Sequence, residues 1–143
     1  APIAGSESTM TTIRGSYDMG MAVVKVAMWD IDQTGITDTT LTGVAATGYE
    51  VSGRSIYVGM PVGGGTLWAQ SSSLGDQDVI TSAGTSALDA SDKSGFDIGY
   101  HMPMNANVTF FGRYGESETG ANYDGTAGST ETEMLMFGWQ LIY

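Results

Sequence analysis

"LMFGWQLIY" fills residues 135–143, and its two faces differ sharply. Successive side chains of an extended strand alternate sides. Leu135, Phe137, Trp139, Leu141 and Tyr143 therefore share one face, with Met136, Gly138, Gln140 and Ile142 on the other. Five successive same-face positions are large and apolar, and the last is aromatic. Such a face belongs either in the core of a water-soluble sheet or against hydrocarbon. The rest of the chain separates these cases.

The same period of two recurs upstream, and helical periodicity does not. Ile13, Gly15 and Tyr17 oppose Arg14 and Ser16, and Ala22, Val24, Val26 and Met28 oppose Val23, Lys25, Ala27 and Trp29. Ile56, Val58, Met60 and Val62 oppose Tyr57 and Gly59; Phe96, Ile98, Tyr100 and Met102 oppose Asp97, Gly99 and His101. Val108, Phe110, Gly112 and Tyr114 oppose Thr109, Phe111 and Arg113. The pattern predicts strands at 9–18, 20–31, 54–62, 65–73, 94–102, 107–116 and 132–143. The weakest, "TLWAQSS" at 66–72, is read as a strand because it follows a tight Gly turn. Segment 39–51 is either another strand or part of a loop.

Composition removes several function classes. Only 15% of the 143 residues are charged, against about 25% in an ordinary soluble domain. The 16 acids and 5 bases leave a net charge of −11, which disfavours nucleic acid because phosphate contacts need a basic surface. Cysteine is absent, so no disulfide, thiolate metal site or Cys nucleophile exists. The longest apolar run, Met19–Ala27, is broken by Gly20 and Lys25 and is too short for a membrane helix. The opening "APIAG" shows no charged n-region or apolar h-region of an export signal.

The connections fall into two kinds. Three are tight: "DMG" at 18–20, "VGGG" at 62–65 and the "PMNAN" turn within 102–107. Three are long and polar, at 32–54, 74–93 and 116–132, and they hold eleven of the 16 acids: Asp32, Asp38, Glu50, Asp76, Asp78, Asp89, Asp92, Glu116, Glu118, Asp124 and Glu131. Short turns at one end and long loops at the other mark an outer-membrane barrel. The expected fold is therefore all-β: one domain, 1–143, in which an antiparallel meander forms part or all of a transmembrane β-barrel. Val24, Val26, Ile98, Phe110, Phe137, Trp139 and Leu141 are expected to face lipid. Tyr17, Tyr100 and Tyr143 have the same parity close to the tight-turn end, as an aromatic girdle would. Arg14, Lys25, Asp97, His101 and Arg113 take the other face and are expected to line the pore.

The closing residues resemble the C-terminal β-signal of Gram-negative outer-membrane proteins: terminal Tyr143 preceded at alternate positions by Leu141, Trp139, Phe137 and Leu135. "SYDMGMAVVKVAMWD", "IYVGMPVGGGTLWAQ" and "GFDIGYHMPMNANVTFFGRYGES" resemble strand–turn–strand units in the C-terminal half of Gram-negative trimeric porins. The resemblance covers about two-thirds of the chain, which is less than half the usual length of a porin, and the long constriction loop of that family is not identifiable. It implies an outer-membrane location and passive diffusion of ions and small polar solutes through a water-filled lumen. It also implies partners: the lipid bilayer with its lipopolysaccharide, the outer-membrane assembly machinery acting on the C-terminal strand, and further strands or neighbouring copies in a homotrimer.

Residues that could do chemistry are few, and no enzyme, cofactor or metal is expected. His101 shares a face with Asp97, but four residues at about 3.3 Å each leave them roughly 13 Å apart, too far for a hydrogen-bonded dyad. "VGGG" lacks the Lys-Ser/Thr of a phosphate loop and reads as a hairpin turn. The pairs Asp30/Asp32, Asp76/Asp78 and Glu116/Glu118 lack EF-hand spacing and read as solvated charge. "NVT" at 107–109 fits a glycosylation sequon but sits at a strand start. Two alternatives to a porin are a small closed barrel with a structural or adhesive role, and a secreted β-rich subunit that polymerises into filaments. Seven strands leave one sheet edge unpaired, because bacterial single-chain barrels have an even strand number. Missing or partner strands are preferred over an eighth strand from 39–51.

Overall fold

The computed structural model describes residues 6–38, 46–88, 91–120 and 128–141. Among these residues nine strands form one sheet: β1 (Glu7–Asp18), β2 (Val23–Asp38), β3 (Ala46–Val62), β4 (Gly65–Leu74), β5 (Gln77–Thr81), β6 (Gly84–Leu88), β7 (Lys93–Asn105), β8 (Val108–Thr119) and β9 (Thr130–Leu141). The hydrogen-bonded order is β1-β2-β3-β4-β7-β8-β9, with β5 on β3 and β6 on β5. Every neighbour is antiparallel. The sheet is an open meander: among the described residues β1 and β9 each have one partner and do not meet. Among the described residues no helix is long and apolar enough to cross a membrane.

All seven expected strands are present, and the long connections differ from the expectation. Much of 32–54 is paired, because β2 runs to Asp38 and β3 starts at Ala46. Residues 46–51 therefore continue β3 and do not form a separate strand; 39–45 lie outside the described residues. The 74–93 segment holds the β5–β6 hairpin, and 116–119 pairs with 130–133. The physical reason is that ladder hydrogen bonds come from the backbone. A polar strand pairs as well as an apolar one without the apolar signature.

β5 continues β4 along the same edge of β3 after a break. Gly53 pairs Leu74 and Glu50 pairs Asp78, three steps on one side and four on the other, so one residue is extra, as in a bulge. Gly75 N donates to Ser52 O (2.9 Å), Ser91 N donates to Asp76 Oδ1 (3.0 Å) and Gln77 N donates to Ser91 Oγ (2.6 Å). Ser91 and nearby Val79 are fully buried, so this clip ties the outer hairpin to the body of the sheet.

The tight turns follow from local chemistry. Gly20 N donates to Asp18 Oδ1 (2.7 Å), and Asn107 N donates to Asn105 Oδ1 (2.9 Å). Between β3 and β4 only Gly63 (φ 57°) and Gly64 (φ 84°) intervene, the two left-handed positions of a type I′ hairpin. Such a conformation costs a residue with a Cβ about 1–2 kcal/mol. Gly64→Val is expected to lose at least that much, read as a lower urea midpoint in detergent micelles.

Successive tight turns are staggered. Val23 pairs Gly59, and the β3–β4 turn begins three residues further on, at Val62. Extending the Thr66–His101 pair by one step sets Gly65 beside Met102, and β7 runs three residues past it to Asn105. If the turns share one level, three residues (about 10 Å) over two strand spacings (about 9.6 Å) tilt the strands by about 45°. Barrel strands tilt by 35–45°.

Candidate functional site: the concave face

Paired residues in an antiparallel ladder lie on one face, so the register sorts the sheet without ambiguity. One face carries Ile13 and Tyr17 of β1, Val24, Val26 and Met28 of β2, Ile56, Val58 and Met60 of β3, Ile98 and Tyr100 of β7, Phe110 of β8 and Leu135, Phe137, Trp139 and Leu141 of β9. The other carries Arg14, Lys25, Trp29, Tyr57, Gln70, Asp97 and Arg113. Burial along the middle of β3 alternates between the two, and the exposed positions, Glu50, Ser52, Arg54, Ile56 and Met60, share the face of the apolar residues. Phe137 is 72% exposed and Trp139 63%. Among the described residues the buried hydrophobics are only Ala22, Ala46 and Val79. A sheet in water would bury its apolar face, at about 1.5–3 kcal/mol per large side chain. This one presents it.

The polar face is concave. Strands β2 and β9 lie five spacings apart, roughly 24 Å on a flat sheet. Yet Trp29 of β2 and Thr132 and Met134 of β9 line one cavity of ≈ 560 Å³. The sheet must curl to bring them together. Its inner wall is made of Ser55, Gln70, Ser72, Gly95 and Gly115 beside the charged groups.

Rings lie flat against this wall over glycines of the adjoining strand. A Cβ on Gly53 would meet the Trp29 ring at 2.3 Å, one on Gly99 the Trp68 ring at 2.6 Å, and one on Gly138 the Phe111 ring at 3.2 Å. Those glycines leave the room that the rings fill. Tyr57 stacks on Trp68 (6.1 Å between centroids), Trp68 meets His101 (5.6 Å), and Lys25 Nζ stands 5.2 Å over Tyr57. Gly99→Val is expected to push the Trp68 ring off the wall, seen as a changed near-UV circular dichroism with the far-UV spectrum kept.

Each expected site residue can now be placed. Arg14, Lys25 and His101 are exposed on the concave side, and Asp97 and Arg113 are half-buried there. Arg113 Nε and Nη2 both donate to Asp97 Oδ1 (2.9 and 2.7 Å), a diagonal cross-strand pair set by Gly99–Arg113 and Asp97–Gly115. His101 stands apart from Asp97, opposite Thr66 and Phe111. On the convex side Val26, Ile98, Phe137, Trp139 and Leu141 are exposed; Val24 and Phe110 are half-buried, and Phe110 makes an edge contact with Trp139 (5.2 Å). Tyr17 is exposed there. Tyr100 folds onto the β3–β4 turn, donating to Val62 O (2.9 Å). Tyr143 lies outside the described residues.

The acid pairs stand mainly on the convex face beyond the apolar residues, where Tyr114 donates to Glu116 Oε1. Asp30, Asp32, Glu50, Asp76 and Asp78 line a shallow cavity of ≈ 330 Å³. No three such groups come together as a metal site among the described residues. The sequence reading missed Lys93, which has concave-face parity through Leu74, and the ring-over-glycine pairs. An aromatic and a glycine of matching parity on neighbouring strands were the signal for those pairs.

No family model matches the chain, and no curated protein or solved structure matches it.

Proposed function

We propose that this chain forms wall strands of an outer-membrane β-barrel porin, through which ions and small polar solutes diffuse passively. The observation that carries the reading is the inverted sheet: the large apolar side chains cover the exposed convex face, while serines, glycines and charged groups line the concave one. Hydrocarbon suits the first face and water the second. The strand tilt of about 45° implied by the stagger supports the same reading. Beyond Met28, Tyr114 and Leu135 the convex face changes at once to Asp30, Glu116 and Glu133, as it would where strands leave the apolar layer for water.

The lipid-facing, girdle and pore-lining roles of the residues placed above belong to this proposal, as do the outer-membrane location and assembly with further strands or copies. Reconstitution in planar bilayers tests it. Stepwise conductance is the expected result. Silence with detergent-dependent solubility would favour a closed structural barrel instead. Solubility without detergent, with polymerisation, would favour a filament subunit.

The Asp97–Arg113 pair offers a second test. Asp97→Asn leaves the Arg113 guanidinium without its carboxylate on the concave wall, and charge lining a pore selects ions by sign. Reversal potentials in a salt gradient are expected to move toward anions, with unit conductance nearly unchanged.

A further inference from the structure

The chain carries 16 acids and 5 bases, yet the register separates the two signs between faces. Arg14, Lys25, Lys93 and Arg113 have concave-face parity, and Arg54 alone faces outward. Among strand acids of the described main path, leaving aside the irregular end of β2, Asp97 and the turn residue Asp18 share the concave parity; Glu7, Asp30, Asp32, Glu50, Glu116, Glu118, Glu131 and Glu133 take the convex one. A strongly acidic protein thus has a concave face with more bases than acids.

The excess is greatest over β1–β4. A basin of ≈ 760 Å³ there holds Arg14, Lys25, Trp29, Tyr57 and Gln70, and no carboxylate lines it. No ion pair holds Arg14 or Lys25 among the described residues. Lys25 stands over the Tyr57 ring, which stacks on Trp68. The basin therefore combines two cations, flat rings and the Gln70 amide, which can both donate and accept. Charge and ring faces in one basin of this size suit a small solute that has both.

We infer that this basin binds small organic anions that carry a ring, such as aromatic carboxylates. The carboxylate lies between Arg14 and Lys25, and the ring rests on Tyr57 and Trp29. The inference rests on the diffusion-pore reading for its physiological meaning, and its test is independent of that reading.

The probe is 4-nitrobenzoate, which quenches tryptophan on contact. It is titrated into the full chain refolded in an uncharged detergent, in a Trp139→Phe background that leaves Trp29 and Trp68 as reporters. Saturable quenching is expected, with 4-nitrobenzyl alcohol at least tenfold weaker and acetate failing to compete. Arg14→Gln and Lys25→Gln should each weaken 4-nitrobenzoate at least fivefold, while Arg54→Gln on the convex face leaves it unchanged. Far-UV circular dichroism checks that each variant keeps its sheet. Equal affinity for acid and alcohol, non-saturating quenching, or full affinity in both basic-residue variants would overturn the inference. Conductance is measured separately in simple salt. A conducting protein without saturable binding keeps the pore and loses the site; saturable binding without conductance does the reverse.

Discussion

A Trp139→Lys chain is expected to vanish from the outer-membrane fraction, while Gln140→Lys, one residue along the same strand, inserts normally. Trp139 lies on the convex face between Phe137 and Leu141, opposite Phe110. Gln140 has concave parity, opposite Thr109. A lysine facing lipid costs about 2–4 kcal/mol near the midplane. Loss of the indole removes part of the 150–250 Å² that a tryptophan buries, at about 25 cal/mol per Å². Together these exceed about 4 kcal/mol, a thousandfold in partitioning at 1.4 kcal/mol per factor of ten. At position 140 neither loss arises, because a pore-side lysine stays in water. Membrane fractionation with immunoblotting reads both variants. Equal insertion of the two would mean that the convex face never meets lipid, and the barrel proposal would fall with it.

Legibility followed the physics of each feature. Parity within one strand is local, so the faces of β2, β3, β7, β8 and β9 could be read from residues such as Val24 against Lys25 or Phe137 against Gly138. Turns were legible because Gly63, Gly64 and Asn105 are the residue types that their geometry requires. Strand extent was not, because "QDVIT", "GTSAL" and "ATGYEV" pair through their backbones and carry little apolar contrast. Contacts between strands were not legible either. Arg113 meets Asp97 only because His101 stands opposite Phe111 on β8, and Trp68 covers Gly99 only because His101 stands opposite Thr66 on β4. A shift of one residue would send Arg113 and Asp97 to opposite faces, and nothing within a single strand sets that register.

The unpaired edges carry the other large expectation. β1 runs toward the tight turns and so does β9, because seven traverses separate an entry at one end of the sheet from an exit at the other. In hydrocarbon neither edge can stand open, since each unsatisfied N–H or C=O costs several kcal/mol. If the barrel is antiparallel throughout, the strands that join β1 to β9 are odd in number. A ring made from copies of this sheet alone would instead need a parallel seam at every junction. Both routes put the start of β1 and the start of β9 on the side away from the tight turns. In intact cells a membrane-impermeant maleimide is therefore expected to label Ser8→Cys and Glu131→Cys. Asn105→Cys in the β7–β8 turn should react only after the outer membrane is permeabilised. Near-complete against near-zero labelling is the contrast to look for. Labelling of Asn105→Cys from outside, with Ser8→Cys and Glu131→Cys protected, would invert the orientation. Opposite behaviour of Ser8→Cys and Glu131→Cys would show an odd number of crossings between them and break the seven-strand path itself.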